Sequence, residues 1–106
     1  YIHVMDLVEG HLSALDYIVN NLGYHVWNLG TGSGHSVLDM VKAFEKASNT
    51  NIPYQIVEKR AGDIASCYAD ATKAHQQLNW FAQRSIEDMM EDTWRWQSQN
   101  PDGYTN

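Results

Sequence analysis

The sequence is short of several things at once. A single cysteine, Cys67, rules out an intrachain disulfide and any cysteine-rich zinc site, so nothing points to an oxidising compartment and the expected setting is the cytoplasm. No stretch approaches the ~20 consecutive apolar residues that span a bilayer, and no basic segment followed by an apolar run opens the chain, which disfavours membrane insertion and secretion. Cations are scarce: 7 Lys and Arg stand against 13 Asp and Glu, a formal net charge of −6. Nucleic acid is therefore a poor partner, because phosphate binding rests on clustered cations that release counterions. The five histidines are dispersed with no His-x-His or His-x3-His pair, so no metal site is expected. What remains is ordinary for one globular unit: 106 residues, 43% hydrophobic and 19% charged.

Periodicity and punctuation divide the chain. Tyr1 to Met5 reads as a short extended segment with no initiator methionine, and suggests part of a longer protein. Asp6 is a good N-cap, after which Leu7, His11, Ala14, Leu15, Ile18 and Val19 mark one face of a helix ending at Asn20–Gly23. Tyr24–Leu29 predicts a strand running into the turn Gly30–Gly34. Ser36 with Asp39 is an Asp variant of the capping box. It opens a helix with Val37, Leu38, Val41 and Phe44 as its buried stripe and an end near Ser48. Ile52–Val57 predicts a second strand, and Glu58–Ser66 has no period. Asp70 caps a short helix to Leu78. Ser85 with Asp88 starts the last helix, with Ile86, Met89, Met90, Thr93 and Trp94 on its core face, before a tail over 100–106.

The alternation predicts an α/β unit with helices packed on a short sheet. Two strands bury little and expose edges, so such a sheet needs more strands from elsewhere.

Most constellations have plain explanations. Gly30-Thr31-Gly32-Ser33-Gly34 sits where a dinucleotide loop would, but its third glycine would fall at His35 and no lysine follows, so a tight turn is the better reading. Trp94 reads as core, with Trp96 and Tyr104 packing the last helix against the tail. The acidic run Glu87, Asp88, Glu91 and Asp92 reads as a solvated face. The stretch Lys59-Arg60-Ala61-Gly62-Asp63 differs, because it lies in an aperiodic loop after a predicted strand. Arginine holds phosphate oxygens bidentately, glycine lets backbone approach a ligand, and aspartate accepts hydrogen bonds from sugar hydroxyls. A surface ion pair between Arg60 and Asp63 fits those residues equally well.

A wider pattern tips that balance. Tyr1-Ile2-His3-Val4-Met5-Asp6-Leu7, Asn28-Leu29-Gly30, Ser36-Val37-Leu38-Asp39, Arg60-Ala61-Gly62-Asp63, Tyr68 to Ala74, Leu78-Asn79-Trp80, and Thr93-Trp94 through Tyr104 together resemble the UDP-glucose 4-epimerase family, extended members of the short-chain dehydrogenase/reductases. The resemblance implies a C-terminal substrate-binding domain over residues 1–99 and a tail over 100–106, with the Rossmann half absent. It implies a UDP-hexose as ligand, with Arg60 at the diphosphate, Asp63 at the ribose hydroxyls and Cys67 at the hexose end. Where the familiar bacterial enzyme carries a tyrosine, Cys67 is smaller, and the expectation is that N-acetylated hexoses fit.

The resemblance also implies NAD in the complete enzyme and none bound here. No tyrosine has a lysine four residues later, and the glycine-rich NAD fingerprint is missing, so this chain is expected to hold no catalytic residue and to be inert alone. Two alternatives remain: a stand-alone interaction module that self-associates through a face normally covered by the missing half, and part of another extended-family enzyme acting on UDP-sugars, such as a decarboxylase.

Overall fold

The computed structural model describes residues 1–104. Four helices form: α1, Val4–Asn20; α2, Val37–Ser48; α3, Thr72–Leu78; and α4, Ile86–Gln99. They pack as two pairs, α1 with α3 and α2 with α4.

Local chemistry sets most of the boundaries. At α2 the Asp39 amide donates to Ser36 Oγ at 3.1 Å while the Ser36 amide donates to Asp39 Oδ2 at 2.8 Å, so two orphan donors are satisfied reciprocally. Ser85 and Asp88 repeat this at α4, at 2.7 and 3.1 Å. The N-cap of α3 is Ala71 rather than the expected Asp70, which lies one residue earlier and whose Oδ1 accepts from the Thr72 amide at 2.9 Å. Asn49 and Asn79 end α2 and α3 in the left-handed region, with φ of 51° and 49°, a conformation that asparagine tolerates better than most residues.

The start of α1 departs from expectation. The helix begins at Val4 and its N-cap is His3, not Asp6. Asp6 is fully buried instead. Its Oδ2 accepts from the amides of Gln83 (3.2 Å) and Arg84 (3.0 Å), Oδ1 accepts from the Arg84 guanidinium, and its backbone carbonyl accepts from Trp80 Nε1 at 3.0 Å. Arg84 reaches on to Glu9, with Nη2 to Oε1 at 2.9 Å. The hydrogen bonds to Glu9, and then to Asp6, hold the guanidinium still more firmly protonated than usual. This network ties α1 to the link between α3 and α4. It also explains which face of α1 is covered: the buried positions are Asp6 and Gly10, whereas Leu15, Ile18 and Val19 of the expected apolar face are exposed.

Around that tie sits a small core of Ala71, Ala74 and Trp80, with Ile2, Trp27, Leu29, Leu78 and Ala82 packed against it. Phe44 meets Trp94 edge-on at 5.9 Å between α2 and α4, and Met89 and Met90 are buried as expected. Thr93 is exposed, and its hydroxyl donates to the Met89 carbonyl one turn back. Trp96 packs on Tyr104 at 5.9 Å. The rest of the expected tail, Thr105 and Asn106, lies outside the described residues.

No strand forms among the described residues, so the expected sheet is not seen. A strand exists only by pairing, and neither segment finds a ladder partner. Residues 24–29 lie across α1 and α3, where Lys73 Nζ donates to the Val26 carbonyl at 2.7 Å and Trp27 Nε1 donates to Gln77 at 2.8 Å. Residues 52–57 leave Tyr54, Ile56 and Val57 exposed, and the Ile52 amide donates to Glu45. No helix is long and apolar enough to cross a membrane among the described residues.

The surface is large for the mass. At 12.1 kDa a self-contained monomer exposes about 6,000 Å², against 8351 Å² here. The radius of gyration is 17.1 Å, where a compact domain of this length has about 13 Å.

Candidate functional site

The loop from Glu58 to Tyr68 is held at its two ends. At the near end Arg60 to Asp63 closes a turn, the Asp63 amide donating to the Arg60 carbonyl at 3.3 Å. Gly62 makes the turn possible at φ 87°, and a Cβ there would meet nothing within 4 Å, so the need for glycine is conformational alone. The same turn lets Arg60 Nε donate to Asp63 Oδ2 at 3.2 Å. Arg60 is 86% exposed, so this pair is well hydrated and weakly held.

At the far end the chain crosses the glycine turn. A Cβ on Gly30 would stand 2.6 Å from the Ala69 Cβ, closer than any two such carbons sit. Only glycine at 30 admits this crossing, and the crossing lies two residues from Cys67. Beside it opens a cleft of about 470 Å³ lined by Gly34, His35, Ser36 and Val37 on one side and Ile64 to Cys67 on the other. Cys67 is a free, exposed thiol.

The three residues expected at a site therefore share one loop but not one wall. Cys67 lines the cleft; Arg60 and Asp63 pair with each other outside it. The opposite wall was not foreseen as such. Val37, expected in the buried stripe of α2, is 67% exposed at the cleft. Its position directly after a capping serine was the available signal, since the first turn of a helix commonly projects beyond the packed interface.

The turn before α2 does not suit a dinucleotide phosphate. The capping box engages the Ser36 amide, the Ser36 hydroxyl and the Asp39 amide, and it places the Asp39 carboxylate at this helix start, where it repels an anion. The Ser36 amide and then the Ser36 hydroxyl hold that carboxyl below its ordinary value of 3.8, so it stays ionised. Among the described residues no group of three His, Cys, Asp or Glu side chains is arranged to hold a metal.

A second, apolar groove of about 420 Å³ lies on α1, lined by His11, Ala14, Leu15, Ile18 and the segment from Gly23 to Trp27. His25 and Trp27, two of its lining residues, stack with ring centroids 5.3 Å apart, and Tyr17 meets both rings edge-on. It presents no charged side chain to a polar ligand.

Comparison with known proteins gives a consistent set of relatives. The family described as GDP-mannose 4,6 dehydratase matches residues 1–93. The UDP-glucose 4-epimerase of Drosophila melanogaster is 60% identical over 108 aligned residues, covering 100% of this chain and 31% of that protein. Among solved structures, the UDP-glucose 4-epimerase of Bifidobacterium longum in complex with NAD+ and UDP superposes with a TM-score of 0.91 at 51% identity, over 98% of this chain and 31% of that one. The enzyme of Stenotrophomonas maltophila with bound NAD and formylated UDP-arabinopyranose does so at 0.89 and 43%, over 93% and 30%. The chain thus spans about a third of the length of the relatives it matches.

Proposed function

Because the chain belongs to the GDP-mannose 4,6 dehydratase family, with UDP-glucose 4-epimerases as close relatives, we propose that it forms the UDP-hexose-binding side of a 4-epimerase. Residues 1–99 are the C-terminal substrate-binding domain and 100–106 its tail, and the segments 24–29 and 52–57 become strands when further strands lie beside them. Arg60 grips the diphosphate, Asp63 takes the ribose hydroxyls, and Cys67 bounds the hexose. The observation that supports this most is the loop itself: one turn presents a solvated guanidinium and a carboxylate together, four residues before a thiol that opens into a cleft. Arg60 is restrained only by a weak pair, so a diphosphate can recruit it at little cost while Asp63 is released for sugar hydroxyls.

Oxidation and return of hydride at the hexose belong to the part of the enzyme that carries NAD and the Tyr-x3-Lys pair. With neither present, this chain binds without turning over. Cys67 leaves room that a tyrosine would fill, so the site admits N-acetylated hexoses.

Calorimetric titration with UDP-N-acetylglucosamine, beside Arg60→Ala and with UMP as a truncated ligand, tests the assignment. Binding that Arg60→Ala abolishes, and that UMP reproduces only weakly, is the expected result. No binding by a folded wild-type chain overturns it. Cys67→Tyr should lower affinity for the N-acetylated ligand relative to UDP-glucose, and an unchanged ratio removes Cys67 from the hexose end.

A second reading rests on the surface excess. About 2,300 Å² beyond the expectation for a monomer of 8351 Å² total surface exceeds the ~1,200–2,000 Å² of a standard interface. Part of it is the outer face of α1, where Val8, Leu12, Leu15, Ile18 and Val19 are exposed. This face suits self-association, and sedimentation that stays monomeric at high concentration excludes it.

A further inference from the structure

One buried titratable group lies apart from the cleft. His3 is 4% exposed and joins two elements far apart in sequence: its Nδ1 accepts from the Met5 amide at 3.1 Å, capping α1, and its Nε2 lies 3.1 Å from Asp92 Oδ2 on α4. A backbone N–H can only donate, so Nδ1 carries no proton, and the proton of the neutral ring sits on Nε2, donated to Asp92. Histidine is an unusual N-cap, since serine, threonine, aspartate and asparagine fill that role with acceptors that do not titrate near neutrality.

We propose that His3 is a pH-responsive clasp: as the neutral Nε2–H tautomer it caps α1 and holds α4, and on protonation it keeps α4 while releasing the cap. A proton added to the ring goes to Nδ1, which then faces the Met5 N–H as a second donor, and the hydrogen bond is lost. The contact to Asp92 survives and gains charge. From α4, Asp92 faces the imidazole directly and Asp88 lies within electrostatic reach. The nearby cations are engaged elsewhere, Arg95 on the other oxygen of Asp92 and Arg84 on Asp6 and Glu9. Protonation thus loosens the first turn of α1 without parting the helices, immediately before the buried Asp6.

The experiment is nuclear magnetic resonance on the 106-residue chain. Imidazole nitrogen shifts near neutral pH should report the Nε2–H tautomer for His3; the Nδ1–H tautomer overturns the proposal. As the ring takes up a proton, followed by the same nitrogen shifts on acidification, hydrogen-exchange protection of the Met5 amide, normalised to an unstructured reference, should fall about fivefold, the worth of one helix N-cap. Protection that does not change as the ring titrates overturns the proposal. His3→Asn keeps a capping oxygen and removes the titration, so its Met5 protection should stay level, and a wild-type-like fall in that variant also refutes the assignment. Should His3→Asn fold poorly, the wild-type tautomer and Met5 protection decide the matter by themselves.

Discussion

Asp6→Ala tests the central tie of the fold. The wild-type carboxylate is fully buried and accepts from two backbone amides, those of Gln83 and Arg84, and from the Arg84 guanidinium. Truncation leaves both amides without an acceptor in a partly buried site, at about 1–3 kcal/mol each. The arginine is not stranded, because Glu9 still accepts from both of its terminal nitrogens. Alanine recovers a few tenths of a kcal/mol in helix propensity. The expected net loss is therefore about 2–5 kcal/mol, a large share of the roughly 5–15 kcal/mol that holds an ordinary domain. Urea unfolding followed by tryptophan fluorescence reads it, since Trp80 is buried and hydrogen-bonded to the Asp6 carbonyl. Asp16→Ala, an exposed aspartate on the same helix, is the control and should change stability by less than about 0.5 kcal/mol. If Asp6→Ala falls within about 1 kcal/mol of wild type, the network does not hold α1 to the α3–α4 link.

Further outcomes follow from single geometric facts. Gly30→Ala forces Ala69 to move, costs about 1–3 kcal/mol by overpacking, and should shift the amide resonances of residues 66–69 more than those of α4. Asn79→Ala places a Cβ-bearing residue without a local polar partner at φ 49° and should cost about 1 kcal/mol, while Asn79→Gly stays close to wild type in thermal melting. The carboxyls of Asp39, Asp70 and Asp88 are held below 3.8 by hydrogen bonds from Ser36, Thr72 and Ser85. A depressed folded value means that each contribution is complete above the ordinary value and is lost as pH falls through the folded one. Far-UV circular dichroism should therefore stay level down to about pH 4 and lose helix below it, with Asp88→Asn flattening part of that loss.

The helix starts at Ser36 and Ser85 were legible because a capping box is a four-residue device whose donors and acceptors all lie in the local chain. The start of α1 was not, for the opposite reason. Asp6 looks like an N-cap by residue type, yet its partners are Gln83 and Arg84, more than seventy residues away, and periodicity carries no trace of a contact at that distance. The apolar face read from Leu7, Leu15, Ile18 and Val19 was a sound reading of the pattern. It failed as a description of burial because the Asp6 and Gly10 side of the helix is the one that meets Trp80 and Leu29.

The two missing strands and the separation of Arg60 and Asp63 from the cleft have a common physical origin. Strand propensity in Tyr24–Leu29 and Ile52–Val57 describes side chains suited to a pleated, half-buried surface, not the neighbours that would bury them. Here the first segment leans on two helices and the second is largely bare, so their β-prone residues contribute to the excess of surface rather than to a core. The loop residues behave likewise. Arg60 and Asp63 were readable as a phosphate-and-sugar pair from their chemistry, and they meet as an ion pair because one turn brings them together three residues apart. On the proposed reading, a segment covered in the complete enzyme presents here the same groups, with solvent in place of their partners. The exposure of Val37, Ile56, Ile64 and Val19 fits the proposed reading, in which this surface is covered in the complete enzyme.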